Sequence, residues 1–138
     1  MNPFFKCKKI TSGIMQFKID TKEKIVIFRL EETTLDAKMS DELVNAIGNI
    51  PGLEEKNLIL DLHSLQSADE SGLKAIFTVY HRQYERGLSA AIAHLNRTLT
   101  TTLSETYPEM QNIVPTESEA IDMVMMEDFE RDLDLGSE

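Results

Sequence analysis

Only one cysteine, Cys7, occurs in the 138 residues. A lone thiol excludes an intrachain disulfide and a thiolate metal cage, and it fits a reducing compartment. The chain start lacks the roughly 7 to 15 apolar residues of a secretory signal core. No run approaches the roughly 18 apolar residues that a membrane span needs, so a cytoplasmic protein without direct membrane insertion is expected. Basic side chains are scarce, 14 against 24 acidic ones, for a formal charge of -10. Phosphate-backbone contacts need clustered Lys and Arg, so nucleic acid is not an expected partner. A Gly-rich phosphate loop is missing, and so is any grouping of nucleophile, base and orienting residue. The chain is therefore not expected to be an enzyme, and no cofactor is expected. His63, His81 and His94 stand at no metal-ligand spacing, so no metal is expected either.

Apolar residues make up 41% of the sequence, enough for one buried core at this length. Charge divides the chain. Residues 1–14 hold Lys6, Lys8 and Lys9 and no acid, whereas residues 127–138 hold acids answered only by Arg131. The expected organisation is an N-terminal arm over 1–14, a domain over 15–126 and an acidic C-terminal tail over 127–138. Met125, Phe129 and Leu133 recur every fourth residue, so the last helix either extends into the tail with an apolar edge or frays there.

From Met15 the alternation Met15, Phe17, Ile19 predicts a strand, and the turn Lys22-Glu23-Lys24 leads into the apolar run Ile25 to Phe28, making a hairpin. Asp36 stands at an N-cap position ahead of Met39, Leu43, Val44 and Ile47, one helical stripe. Asn57 to Leu62 is nearly continuous apolar sequence, as in a central strand covered on both faces. Leu73, Ile76, Phe77, Tyr80 and Tyr84 trace a second helix closed by Gly87. Leu88 to Leu95 predicts a strand, Asn96 a capped third helix before Pro108, and Ile113-Val114 a short edge strand. Thr116 and Glu119 form a capping box ahead of a final helix through Ala120, Ile121, Val124 and Met125. The order ββαβαβαβα predicts an α/β domain with about four helices and a mixed, largely parallel sheet of about five strands.

The stretch Leu58 to Ala75 carries the chemistry. A buried strand ends, a loop turns, and Asp69-Glu70-Ser71-Gly72 opens a helix whose free N-H groups and positive dipole end favour negative charge. Two readings fit. Asp69 is a plain cap and Glu70 merely suits the dipole, or a phosphate on a nearby hydroxyl changes the local charge by about -1.5 to -2 and switches a docking surface.

The Leu60-Asp61-Leu62 strand, the Asp69-Glu70-Ser71-Gly72-Leu73 helix start, Gly87 before the next strand and the closing Pro115-Thr116 to Ala120 segment stand in an order that resembles a STAS domain. The resemblance covers about residues 15 to 126 and is strongest to the bacterial anti-sigma factor antagonists. It implies the STAS, or SpoIIaa-like, fold and a partner switch that regulates transcription. The unmodified domain binds an anti-sigma factor, usually a GHKL-type serine kinase; phosphorylation by that kinase breaks the complex. In the family the helix opens Asp-Ser-Ser-Gly or Asp-Ser-Thr-Gly, with the phosphoacceptor directly after the aspartate. Here Asp69 matches that aspartate, Ser71 the following hydroxyl and Gly72 the glycine, but the acceptor position holds Glu70. A carboxylate cannot take phosphate from a serine kinase. Either Glu70 is a permanent substitute for the phosphate, or the acceptor has moved to Ser71 or Ser67. The reading adopted is the first, with Ser71 the best remaining acceptor. Asp36 looks like the aspartate that family members carry ahead of the first helix. By the same resemblance Asp36, Asp69, Gly72, Lys74 and Thr78 form the partner-binding surface. The alternative the resemblance leaves open is a scaffold or regulatory subunit that binds other STAS domains or itself, in a stressosome-like assembly or on a membrane transporter.

Overall fold

The computed structural model describes the backbone of residues 15–136 and side chains as far as Leu133; the expected arm over 1–14 lies outside the described residues. The main sheet contains β1 (Phe17–Thr21), β2 (Ile25–Leu30), β4 (Asn57–Asp61), β6 (Ala90–Ala93) and β7 (Ile113–Val114), side by side in that order. β1 runs antiparallel to β2, and the other pairs are parallel. The predicted central strand is indeed the middle one. Two further strands, β3 (Thr34–Leu35) and β5 (Ser67–Ala68), pair in parallel as a separate ribbon. Two residues are too few to show a periodicity, so the sequence pattern does not announce them.

Strand alternation divides the core between two faces. Val26, Phe28, Leu30, Leu58, Leu60 and Ile92 pack with α1 (Ala37–Gly48), α2 (Glu70–Glu85) and α3 (Arg97–Thr106). Ile25, Ile27, Ile59, Ala91 and Ala93 pack under Ala120 and Val124 of α4 (Glu117–Gly136). All five residues of β4 are buried, which is why Leu58, Ile59 and Leu60 run consecutively without alternation. Capping follows the sequence closely. Asn96 Oδ1 accepts from Leu99 N, and Thr116 Oγ1 accepts from Glu119 N. The Glu119 carboxylate accepts from the Thr116 hydroxyl instead of reaching back to a backbone N-H.

α4 runs through the expected boundary at Met126 without a break. Its second half is fastened at the amino ends of the parallel strands by a polar network. Glu127 accepts from the Tyr84 hydroxyl at 2.7 Å and from Asn112 Nδ2 at 2.9 Å, while Arg131 donates to Ser89 Oγ at 2.7 Å and to Asn57 Oδ1 at 3.3 Å. Burial opposes ionisation of Glu127, but hydrogen bonds from Asn112, Ser89 and Tyr84 outweigh it and hold its carboxyl below the ordinary 4.5. A depressed folded-state value means stability that is complete above the ordinary value and lost as pH falls through the folded one. Glu127→Gln places an amide N-H₂ against one of these donors, and is expected to lower stability by about 1 to 3 kcal/mol at neutral pH. Urea titrations of both proteins check this: the gap narrows as pH falls from 4.5 through the lower folded-state value, where the folded wild-type carboxylate loses its charge too.

Candidate functional site

The β3-β5 ribbon sets the amino ends of α1 and α2 next to each other. Thr34 pairs with Ser67 and Leu35 with Ala68, and each strand runs directly into a helix cap. Asp36 Oδ1 accepts from Met39 N at 2.9 Å, and Asp69 Oδ1 accepts from Gly72 N at 2.9 Å. Both aspartates are therefore N-caps, each satisfying one of its helix's orphan N-H groups. A shallow groove lined by Thr34, Leu35, Asp36, Ser67, Ala68 and Asp69 lies between the caps. The Thr34 and Ser67 hydroxyls bridge it at 3.3 Å. Asp36 shares this groove with Asp69.

Glu70 and Ser71, in the first turn of α2, are exposed, and neither side chain has a hydrogen-bond partner among the described residues. Their charge and hydroxyl face solvent beside the positive end of a 16-residue helix. Lys74 and Thr78 continue from Glu70 at four-residue steps along the outer face; Lys74 is exposed and Thr78 half-buried. The Thr78 hydroxyl donates to the Lys74 carbonyl at 2.7 Å. His81 and Glu85 extend the stripe.

Gly72 is the exception among the expected surface residues, because it is buried. A Cβ there would stand 2.5 Å from the Leu35 carbonyl oxygen and 3.2 Å from the Ala68 Cβ. Its lack of a side chain lets α2 approach the ribbon, so it positions the groove from beneath.

A second cluster occupies the carboxyl ends of the parallel strands, under the start of α4, and sequence reasoning missed it. Asp61, the last residue of β4, is buried, with only 5% of its side chain exposed. Its Oδ1 meets His63 Nδ1 at 2.9 Å and accepts from His63 N at 3.0 Å, and its Oδ2 meets His94 Nδ1 at 3.1 Å. His94 has a left-handed backbone, φ 63°, which breaks strand alternation directly after β6. Arg29, paired in register with Asp61, donates to both oxygens of Glu117, at 2.7 and 3.0 Å. Burial opposes ionisation of Asp61, but hydrogen bonding with Glu117, His63 and His94 prevails and keeps its carboxyl below the ordinary range. The available signal was Asp61 itself, a carboxylate closing an otherwise apolar buried strand.

No helix among the described residues is long and apolar enough to cross a membrane. No curated protein matches the chain at the sequence level. Its fold is similar to a putative anti-sigma factor antagonist from Thermotoga maritima, with TM-score 0.67 and 21% identity over 79% of this chain and 94% of that one. It is also similar to the Bacillus cell fate determinant SpoIIAA in its phosphorylated form, with TM-score 0.62 and 18% identity over 79% and 99% of the two chains. A third similarity is to the murine Solute Carrier 26 family member A9 anion transporter, with TM-score 0.64 and 15% identity. It covers 78% of this chain but only 18% of the transporter. At these identities the likeness speaks for the fold. The sequence itself matches the STAS domain model over residues 16–120, and the chain belongs to the STAS domain family.

Proposed function

We propose that this protein is an anti-sigma factor antagonist that works by partner switching. It is a cytoplasmic, bacterial, non-catalytic domain that docks on an anti-sigma factor of the GHKL serine-kinase type through the start and outer face of α2. The observation that carries this reading is the paired set of helix amino ends, with Glu70 and Ser71 exposed beside Asp69 and without hydrogen-bond partners among the described residues. A helix amino end is where a change of negative charge has most effect on a visiting surface, and an exposed first turn is where a kinase has access. Asp36, Ser67, Asp69, Lys74 and Thr78 provide the surrounding contacts, and Gly72 fixes their positions. Glu70 stands where relatives in this family carry their phosphoacceptor, as a carboxylate with one charge and two acceptor oxygens, a weaker and permanent version of the phosphate.

The test is Glu70→Ser. With a purified cognate kinase and ATP, the wild-type protein is expected to acquire little phosphate, and what it acquires maps to Ser71 by mass spectrometry. The Glu70→Ser variant is expected to be phosphorylated at residue 70 and released from the kinase on modification. Unmodified Glu70→Ser protein that binds as the wild type does would remove the phosphate-substitute idea. Affinity capture from native lysate addresses the partner: a GHKL-type ATP-binding protein supports this reading. A transporter subunit would favour the role suggested by the fold's likeness to the Solute Carrier 26 structure.

A further inference from the structure

The second cluster has the composition of a divalent-metal site. Among the described residues, Asp61, His94 and Glu117 each offer one ligand atom, all within 4.8 Å of one another. These residues lie far apart in the chain, so their spacing in sequence gives no metal signature. β4, β6 and the start of α4 bring them together at the carboxyl ends of parallel strands, where open α/β sheets place their ligands. The left-handed backbone at His94 is followed by an imidazole that meets a carboxylate of the neighbouring strand.

The charge balance also favours a dication. Four carboxylates gather here: Asp61, Glu117, Asp20 at 3.9 Å from Arg29, and Glu31 at 3.8 Å from His63. Arg29, on Glu117, and Lys22, paired with Asp20, answer two of these four carboxylates. Asp61 and Glu117 are near neighbours, and two abutting carboxylates repel unless a proton or cation lies between them. One nitrogen and two oxygen ligands without a thiolate suit zinc or a similar first-row ion, with water completing the coordination. Bond lengths of about 2.0 to 2.2 Å put tetrahedral ligand atoms roughly 3.3 to 3.6 Å apart. Partly exposed His94 and Glu117 can close the remaining distance by side-chain rotation, since their side chains are 38% and 22% exposed. His63 on the other oxygen of Asp61 orients that ligand, as outer partners do in metal sites. Arg29 holds both oxygens of Glu117, so Glu117 reaches an ion by giving up one of these two bonds.

We propose that Asp61, His94 and Glu117 form a zinc-type site that joins the end of β4 to the start of α4. Asp61 and His63 open the segment leading to Ser67 and Asp69, so an ion there ties the base of the docking loop to the opposite layer of the domain. Calorimetric titration of the chelator-treated full chain with zinc chloride tests it. One zinc per chain is expected, with a rise in melting temperature. His94→Asn removes the imidazole while keeping a residue that accepts the left-handed backbone, and should weaken binding at least tenfold. Glu117→Gln is the second variant and should weaken it similarly. His81→Gln, on α2 beside Glu85, should leave binding unchanged. Absence of binding at millimolar zinc, binding that survives both His94→Asn and Glu117→Gln, or equal loss in His81→Gln overturns the proposal.

Discussion

Gly72→Ala should destabilise the domain by about 3 kcal/mol, at the upper end of the range for overpacking. Helix propensity argues for the opposite sign, since alanine in place of glycine stabilises a helix interior by up to about 1 kcal/mol. The steric term decides the outcome. The added methyl group would stand 2.5 Å from a backbone carbonyl, that of Leu35, and 3.1 Å from the Leu35 Cγ. A backbone atom in the β3-β5 ribbon cannot swing aside as the end of a flexible side chain can, so either α2 lifts or the ribbon parts. Both displacements move the Asp36 and Asp69 caps relative to each other. Urea unfolding of Gly72→Ala should therefore show a lower midpoint with an unchanged slope. If the proposed function holds, kinase capture by the remaining folded protein weakens as well. A raised midpoint would mean that propensity wins and that the close approach of α2 to Leu35 is not tight.

Leu60→Ala is the second large effect. Leu60 is 1% exposed, in the middle strand, and belongs to the core beneath α1 and α2. Removing it takes away the transfer free energy of the lost methyl and methylene groups and leaves a cavity that strands on both sides prevent from collapsing. The expected loss is about 4 kcal/mol, within the range for buried Leu→Ala, with a fall in melting temperature on the order of 10 °C. Ile19→Ala serves as the control, because Ile19 is 42% exposed on the edge strand. It should stay within about 1 kcal/mol of wild type. Leu60→Ala should also leave docking per folded molecule unaltered, which separates it from Gly72→Ala. Similar melting temperatures for Leu60→Ala and Ile19→Ala would show that β4 is not the centre of the core.

The separation of these two variants reflects how the domain is built. The core under α1 and α2 holds the sheet together, while the ribbon lies at its margin and presents two caps to solvent. On the other face the layers are distinct. Asn57 and Ser89 make a polar row at the amino ends of the strands, Ile27, Ile59, Ala91 and Ala93 make the apolar middle, and Arg29, Asp61 and His94 make a polar row at the carboxyl ends. α4 answers each in turn with Arg131, Val124 and Ala120, and Glu117. That match explains why α4 continues past Met126: Glu127 and Arg131 have buried or half-buried partners on the body of the domain.

The sequence by itself determined the four helices, the five strands of the main sheet, their order and the three Asx caps, because periodicity and capping act over a few residues and are written in neighbouring positions. Asp36, Asp69 and Asn96 each bond the backbone N-H three residues on. Tertiary structure alone decided what meets across the fold. The β3-β5 ribbon, the contact of Gly72 with Leu35, and the convergence of Asp61, His63, His94 and Glu117 depend on strand register and on the path of α4 across the sheet. Loop closure brings together residues more than thirty positions apart, as with Asp61 and His94, and no local pattern encodes that encounter.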